Sequence, residues 1–131
     1  MRYVKFITRA MLRAEPDTLF VFGDNMKRRG LGGQAKDMRG EPNAVGIPTK
    51  IAPGMKPADF FTDDDFERAR VEIETAAKRL SDHIETRGKV VWPEDGIGTG
   101  LAQLPERAPW IWKLLEQVRL TLEQRSSAEA C

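Results

Sequence analysis

Four consecutive apolar residues, Leu19-Phe20-Val21-Phe22, run straight into Gly23-Asp24-Asn25. With Thr18 ahead of them they form a β-branched and aromatic stretch, which reads as a buried strand. The continuation, "MKRRGLGGQAKDMRG", then places Gly30, Gly32 and Gly33 within four residues. A strand that merely turned would need one glycine, or two. This cluster implies a backbone left bare so that something can approach it closely.

The rest of the chain alternates. Tyr3 to Thr8 reads as a short strand and Arg9 to Ala14 as a helical turn, stopped by Glu15-Pro16-Asp17. Gly32 to Met38 can form a short helix, and Ala44 to Pro48 a further strand ending at Thr49-Lys50. Two prolines and a glycine make Ile51 to Phe61 an irregular loop. Thr62 is a fitting N-cap for a long helix, with Asp65 at N3. Phe66, Ala69, Ile73, Ala76, Ala77, Leu80 and Ile84 form its apolar face, and Gly88 is placed to end it. Lys89 to Trp92 reads as a fourth strand, followed by the loop "EDGIGTGLAQL" and a last helix opened by Pro109. Strands alternating with helices predict an α/β layer structure. The expected organisation is one compact domain over residues 1–125, with residues 126–131 as a flexible tail. Both glycine-rich loops follow strand ends, where open α/β sheets bind ligands, so both can face one cleft.

Composition excludes several functions. Lys plus Arg is 21 against 20 for Asp plus Glu, so no global charge favours nucleic acid. The single cysteine is Cys131 and the single histidine His83, which argues against a disulfide framework, a zinc site or a Ser-His-Asp triad. Asp63-Asp64-Asp65 reads as a helix start, not a metal site. No metal or cofactor is expected. No stretch reaches the length of a membrane span, and the N-terminus lacks a signal peptide's apolar core, so the expected location is the cytoplasm.

Phosphate suits such loops, because glycine lets consecutive amides point into one concavity. Gly30 to Gly33 fits this, and Gly96-Ile97-Gly98-Thr99-Gly100 fits it again, with the Thr99 hydroxyl as a further donor. Two such loops suit a diphosphate held from two sides. Neither has the Walker or the dinucleotide-binding pattern.

The strand ending in "GDN" followed by "GLGGQA" resembles the macrodomain pattern. "VVWPEDGIGTGLAQLPERAPWIWKLLEQ" resembles the second macrodomain signature, and "AVGIPTKIAPGMKP" is similar to the terminal ADP-ribose protein glycohydrolase branch. The likeness spans roughly Leu19 to Val118. It implies a macrodomain-like, Rossmann-like three-layer domain with a central mixed sheet flanked by helices, trimmed at its N-terminus. It further implies ADP-ribose, or an ADP-ribosylated macromolecule, as the ligand. Asn25 would contact the distal ribose, Gly30, Gly32, Gly33 and Gln34 would flank it and the diphosphate, and Gly98, Thr99, Gly100 and Leu101 would close the other side. Lys50 would match the branch's lysine nucleophile. Where the branch carries an aspartate after its Gly-Leu, this chain has Ala102, so Asp24 or Asp95 would have to compensate.

Plainer readings stand beside these. Asp24 and Asn25 can cap the turn after a strand, the glycines can be structural, and Lys50 can be an ordinary surface lysine. Three functions therefore compete: a hydrolase acting on an ADP-ribosyl linkage through Lys50 or Asp24, a non-catalytic binder of ADP-ribose or a related nucleotide, and a protein or nucleic-acid interaction domain whose glycine loops are structural.

Overall fold

The computed structural model describes residues 1–130, and the side chains of residues 1–128. Its order is β1 (Arg2–Val4), α1 (Arg9–Ala14), β2 (Thr18–Asn25), α2 (Ala35–Met38), β3 (Ala44–Lys50), α3 (Phe66–Glu85), β4 (Lys89–Pro93), α4 (Leu104–Arg107) and α5 (Pro109–Ala130), with short 3-10 turns at Pro57–Asp59 and Asp63–Asp65. The four strands form one sheet in the order β1-β4-β2-β3.

Every pair in that sheet is parallel, which corrects the expectation of a mixed sheet. The reason lies in the connections. A helix separates each strand from the next in sequence, so the chain recrosses a face and re-enters the sheet in the same direction. All strand C-termini consequently lie at one edge.

Strand alternation splits the core in two. Leu19, Val21, Val45, Ile47, Val90 and Trp92 point to one face and pack under α3 and α5. Phe20, Phe22 and Val91 point to the other, under Leu12 of α1 and Ala35 and Met38 of α2. A sheet covered on both faces needs strands that are apolar throughout, as the Leu19–Phe22 run is.

The long helix forms as its periodicity predicts, burying Ala69, Ile73, Ala76, Leu80 and Ile84. Thr62 and Asp65 close a reciprocal cap ahead of it. Its far end differs in one detail. Arg87 adopts the left-handed conformation, at φ 66°, while Gly88 donates its amide to the His83 carbonyl. β1 stops at Val4, short of the predicted Thr8, because the chain breaks away there to begin α1. α5 continues through the segment expected as a tail. The N-terminal ammonium donates to Ser126 Oγ at 2.5 Å, tying this stretch back to the start of the chain. Cys131 lies outside the described residues. No described helix is long and apolar enough to cross a membrane.

Candidate functional site

A cleft of about 230 Å³ opens where β2, β3 and β4 end. Its lining includes Asp24, Asn25, Gly30, Gly32, Gly33, Gln34, Lys50, Gly98, Gly100 and Leu101. The fold therefore gathers ten of the eleven predicted site residues around one space. Thr99 is the exception. It is exposed, lies outside the lining, and donates its hydroxyl to the Asp95 carbonyl at 2.9 Å. Asp95 is also absent from the lining, so Asp24 is the one carboxylate there.

The end of β2 supplies the first wall. Asp24 is buried, and its carboxylate takes Arg39 Nη2 at 2.5 Å and Arg39 Nη1 at 3.2 Å. Arg28 Nη1 approaches at 3.4 Å, and the Asn25 amide donates to Oδ1 at 2.8 Å. Both carboxylate oxygens are thus engaged by two guanidiniums and a backbone N–H. Arg39 also donates to the carbonyls of Gly30 and Arg29, which fastens the first glycine loop to the strand. Asn25 is occupied too. Its amide group donates to the Arg29 carbonyl at 2.7 Å, and its oxygen accepts from the Lys27 N–H at 3.0 Å. Gln34 pairs with both backbone groups of Ile7. Asp24, expected as catalytic, and Asn25 and Gln34, expected as ligand contacts, all make bracing contacts within the protein in this structure. Arg39 is the organising residue here. Sequence reasoning missed it, because its partner lies 15 residues away across a turn.

The end of β3 supplies the second wall. Pro48 cannot donate to a ladder, and it sits on an edge strand where this is tolerated. The register slips beside it: Asp24 faces Pro48, and Asn25 faces Lys50. Such a bulge re-aims the following side chain. Lys50 is only 8% exposed. Its ammonium donates to the carbonyls of Gly54 and Pro53, with Met55 Sδ at 3.6 Å. It also stands 4.6 Å from the centroid of the Phe60 ring. Burial, with the like charge of Arg107 adding to it and Asp59 opposing, holds the Lys50 amine below its ordinary pKa. That is the direction a nucleophilic amine requires.

The glycines separate into two kinds. A Cβ at Gly30 would stand 2.9 Å from Pro53 Cβ, and one at Gly98 2.9 Å from Leu104 Cδ2; both also have positive φ. The protein's own packing explains these two. Gly32 and Gly100 are different. Neither has a positive φ, and a Cβ at either would meet nothing within 4 Å. Both line the cleft, and nothing in the protein requires their bareness.

The backbone amides are equally bare. Among the described residues, no protein acceptor receives the N–H groups of residues 29–34 or of residues 97–102. Amides left without a protein partner need water or a ligand. Around them the lining carries three cations, Arg29, Arg39 and Lys50, against the one carboxylate that Arg39 already neutralises. The lining is therefore net positive. Among the described residues, no three His, Cys, Asp or Glu side chains group as metal ligands.

The loops after the four strands each expose one large apolar side chain: Phe6, Leu31, Met55 and Leu101. Trp92 lies in the core, Trp112 packs partly against it, and Trp110 is 61% exposed on the first turn of α5. His83 is structural, with Nε2 2.8 Å from the Asp17 carbonyl oxygen.

Residues 2–118 match the model of a family described as a family of unknown function (DUF7831), and the chain belongs to that family. The match takes in all four strands and both cleft loops. No curated protein and no solved structure matches the chain.

Proposed function

We propose that this protein binds ADP-ribose, or an ADP-ribosyl group on a macromolecule, in the cleft at the strand ends. The observation that carries the reading is the pair of loops, residues 29–34 and 97–102, whose amides have no protein acceptor among the described residues and whose glycines line one cleft with an excess of cations. Consecutive N–H groups in a concavity are what a phosphate needs, and two runs suit two phosphates. The bareness of Gly32 and Gly100 supports close approach from both sides. The macrodomain resemblance supplies the identity of the nucleotide. A space of this volume is smaller than pockets that engulf a drug-sized ligand. ADP-ribose bound here would have part of its surface along the exposed rim, which leaves room for a carrier.

Hydrolysis is the second reading, favoured by the depressed Lys50 amine. In it the amine lone pair attacks the anomeric carbon of the ribose, and the bond from that carbon to the carrier breaks with its electron pair. The amine proton passes to the leaving group or solvent. Water then attacks the same carbon, freeing ADP-ribose and restoring the lysine. Asp24 is poorly placed for general-base work, because its oxygens already hold Arg39 and Arg28. Ala102 lines the cleft with a methyl group, so turnover without a supplied acid should be slow.

Titration calorimetry with ADP-ribose, ADP and AMP tests binding. ADP-ribose and ADP should bind more tightly than AMP, which lacks the second phosphate. Equal heats for all three, or none, would overturn the reading. Release of ADP-ribose from a labelled protein, compared between wild type and Lys50→Ala, then separates an enzyme from a binder.

A further inference from the structure

Lys50 is held on a second side by an aromatic ring, Phe60, that none of the motifs contains. Phe60 is buried beside it, and the guanidinium carbon of Arg107 lies 3.8 Å from the centroid of the same ring. Two cations therefore share one aromatic ring. Each is attracted to its π system, yet they repel one another. Arg107 has no carboxylate partner among the described residues; its Nε donates to the neutral Gln103 amide oxygen at 2.9 Å. It closes α4, the short helix that follows the second glycine loop.

We propose that Arg107 is a positioning residue for Lys50, acting through the Phe60 ring to hold the amine at the cleft wall and to disfavour its protonated form. This rests on reading Lys50 as the reactive group of the cleft. Lys50 hangs between neutral dipoles on the loop side and a ring already occupied by a cation on the α4 side. The like charge of Arg107 adds to the effect of burial, while Asp59, whose Oδ2 accepts the Lys56 N–H, works against it. The other lining charges are Arg29 and Arg39, both positive, and Asp24, whose charge Arg39 already meets. Arg107, at the end of the helix that follows the second glycine loop, thus adds a like charge beside Lys50 on the ring that both touch.

Reductive methylation with formaldehyde and a borane reductant tests this on the full chain. Modification of each lysine is read by peptide mass spectrometry from about pH 6 to about pH 10. In wild type, Lys50 should react at lower pH than exposed lysines of the same molecule. Arg107→Gln should slow Lys50 about three-fold near pH 8 and move its profile upward. Arg107→Lys should restore the wild-type profile, and Asp59→Asn should shift it downward. A thermal melt establishes that each variant is folded. An unchanged Lys50 profile in folded Arg107→Gln, or a Lys variant that behaves like the Gln variant, would overturn the inference. A wild-type Lys50 no more reactive than exposed lysines would instead sink the reading on which it rests. ADP-ribose plays no part in the measurement, so failure of nucleotide binding would show separately, in the calorimetry.

Discussion

The ends of β2 and β3 both bury a charged residue beside the same cleft, and they treat it in opposite ways. Asp24 meets two guanidiniums and a backbone amide. Lys50 meets carbonyl dipoles, a thioether and an aromatic face shared with a second cation. A buried charge met by opposite charges is compensated, whereas one met by dipoles and an aromatic face keeps more of the cost of its burial. The first arrangement builds a wall. The second leaves an ammonium group without an opposite charge in contact. Of the two residues put forward as catalytic from sequence, Asp24 is engaged by two guanidiniums, whereas Lys50 is buried without a carboxylate in contact.

The largest expected consequence is in stability. Asp24→Ala removes the partner of Arg39 and frees the first glycine loop from the strand, and should cost about 3 kcal/mol in urea unfolding. Lys50→Met should cost about 1 kcal/mol or less, since it loses only hydrogen bonds to carbonyls while removing a buried charge. Comparable losses for the two variants would break the contrast.

Binding comes next. Val at Gly32 or Gly100 should lower ADP-ribose affinity at least about ten-fold without changing the melting temperature, because no protein atom occupies the space the side chain enters. Gly33 is the poorer probe: its φ of +56° makes any branched residue there strained regardless of a ligand. Unchanged affinity in both variants would return the loops to a purely structural role.

The smallest effect is a pH dependence. Below its depressed folded pKa, Lys50 carries its proton in both states, and its buried charge subtracts from stability in full. Between that value and the ordinary 10.5, the unfolded chain holds a proton that the folded chain does not, so stability rises with pH. Wild type should therefore gain on Lys50→Met as pH increases through the alkaline range, measured by urea unfolding. A gain for the mutant instead would mean that the amine is stabilised as the cation, and the comparison with Asp24 would fail.

Much of this was legible in the chain. The apolar Leu19–Phe22 run, the apolar face of α3 and the Thr62–Asp65 cap are local patterns, and local patterns follow from side-chain period and backbone chemistry alone. The two glycine loops after strand ends pointed to the cleft for the same reason. Other features depended on contacts between residues far apart in sequence. The all-parallel sheet came from how three helical crossovers returned the chain, and the course of α5 past Ser126 goes with a hydrogen bond from residue 1. Thr99 carries a hydroxyl in a glycine loop, and only the turn geometry directs it to Asp95 instead of the cleft. Asp24 is paired with Arg39, and Lys50, held below its ordinary pKa first by burial, shares the Phe60 ring with Arg107. Sequence determined which residues could do chemistry and roughly where along the strands they would stand. Tertiary structure decided which of them are spent on holding the fold, because a charge acts according to its neighbours in space and those neighbours are chosen by folding.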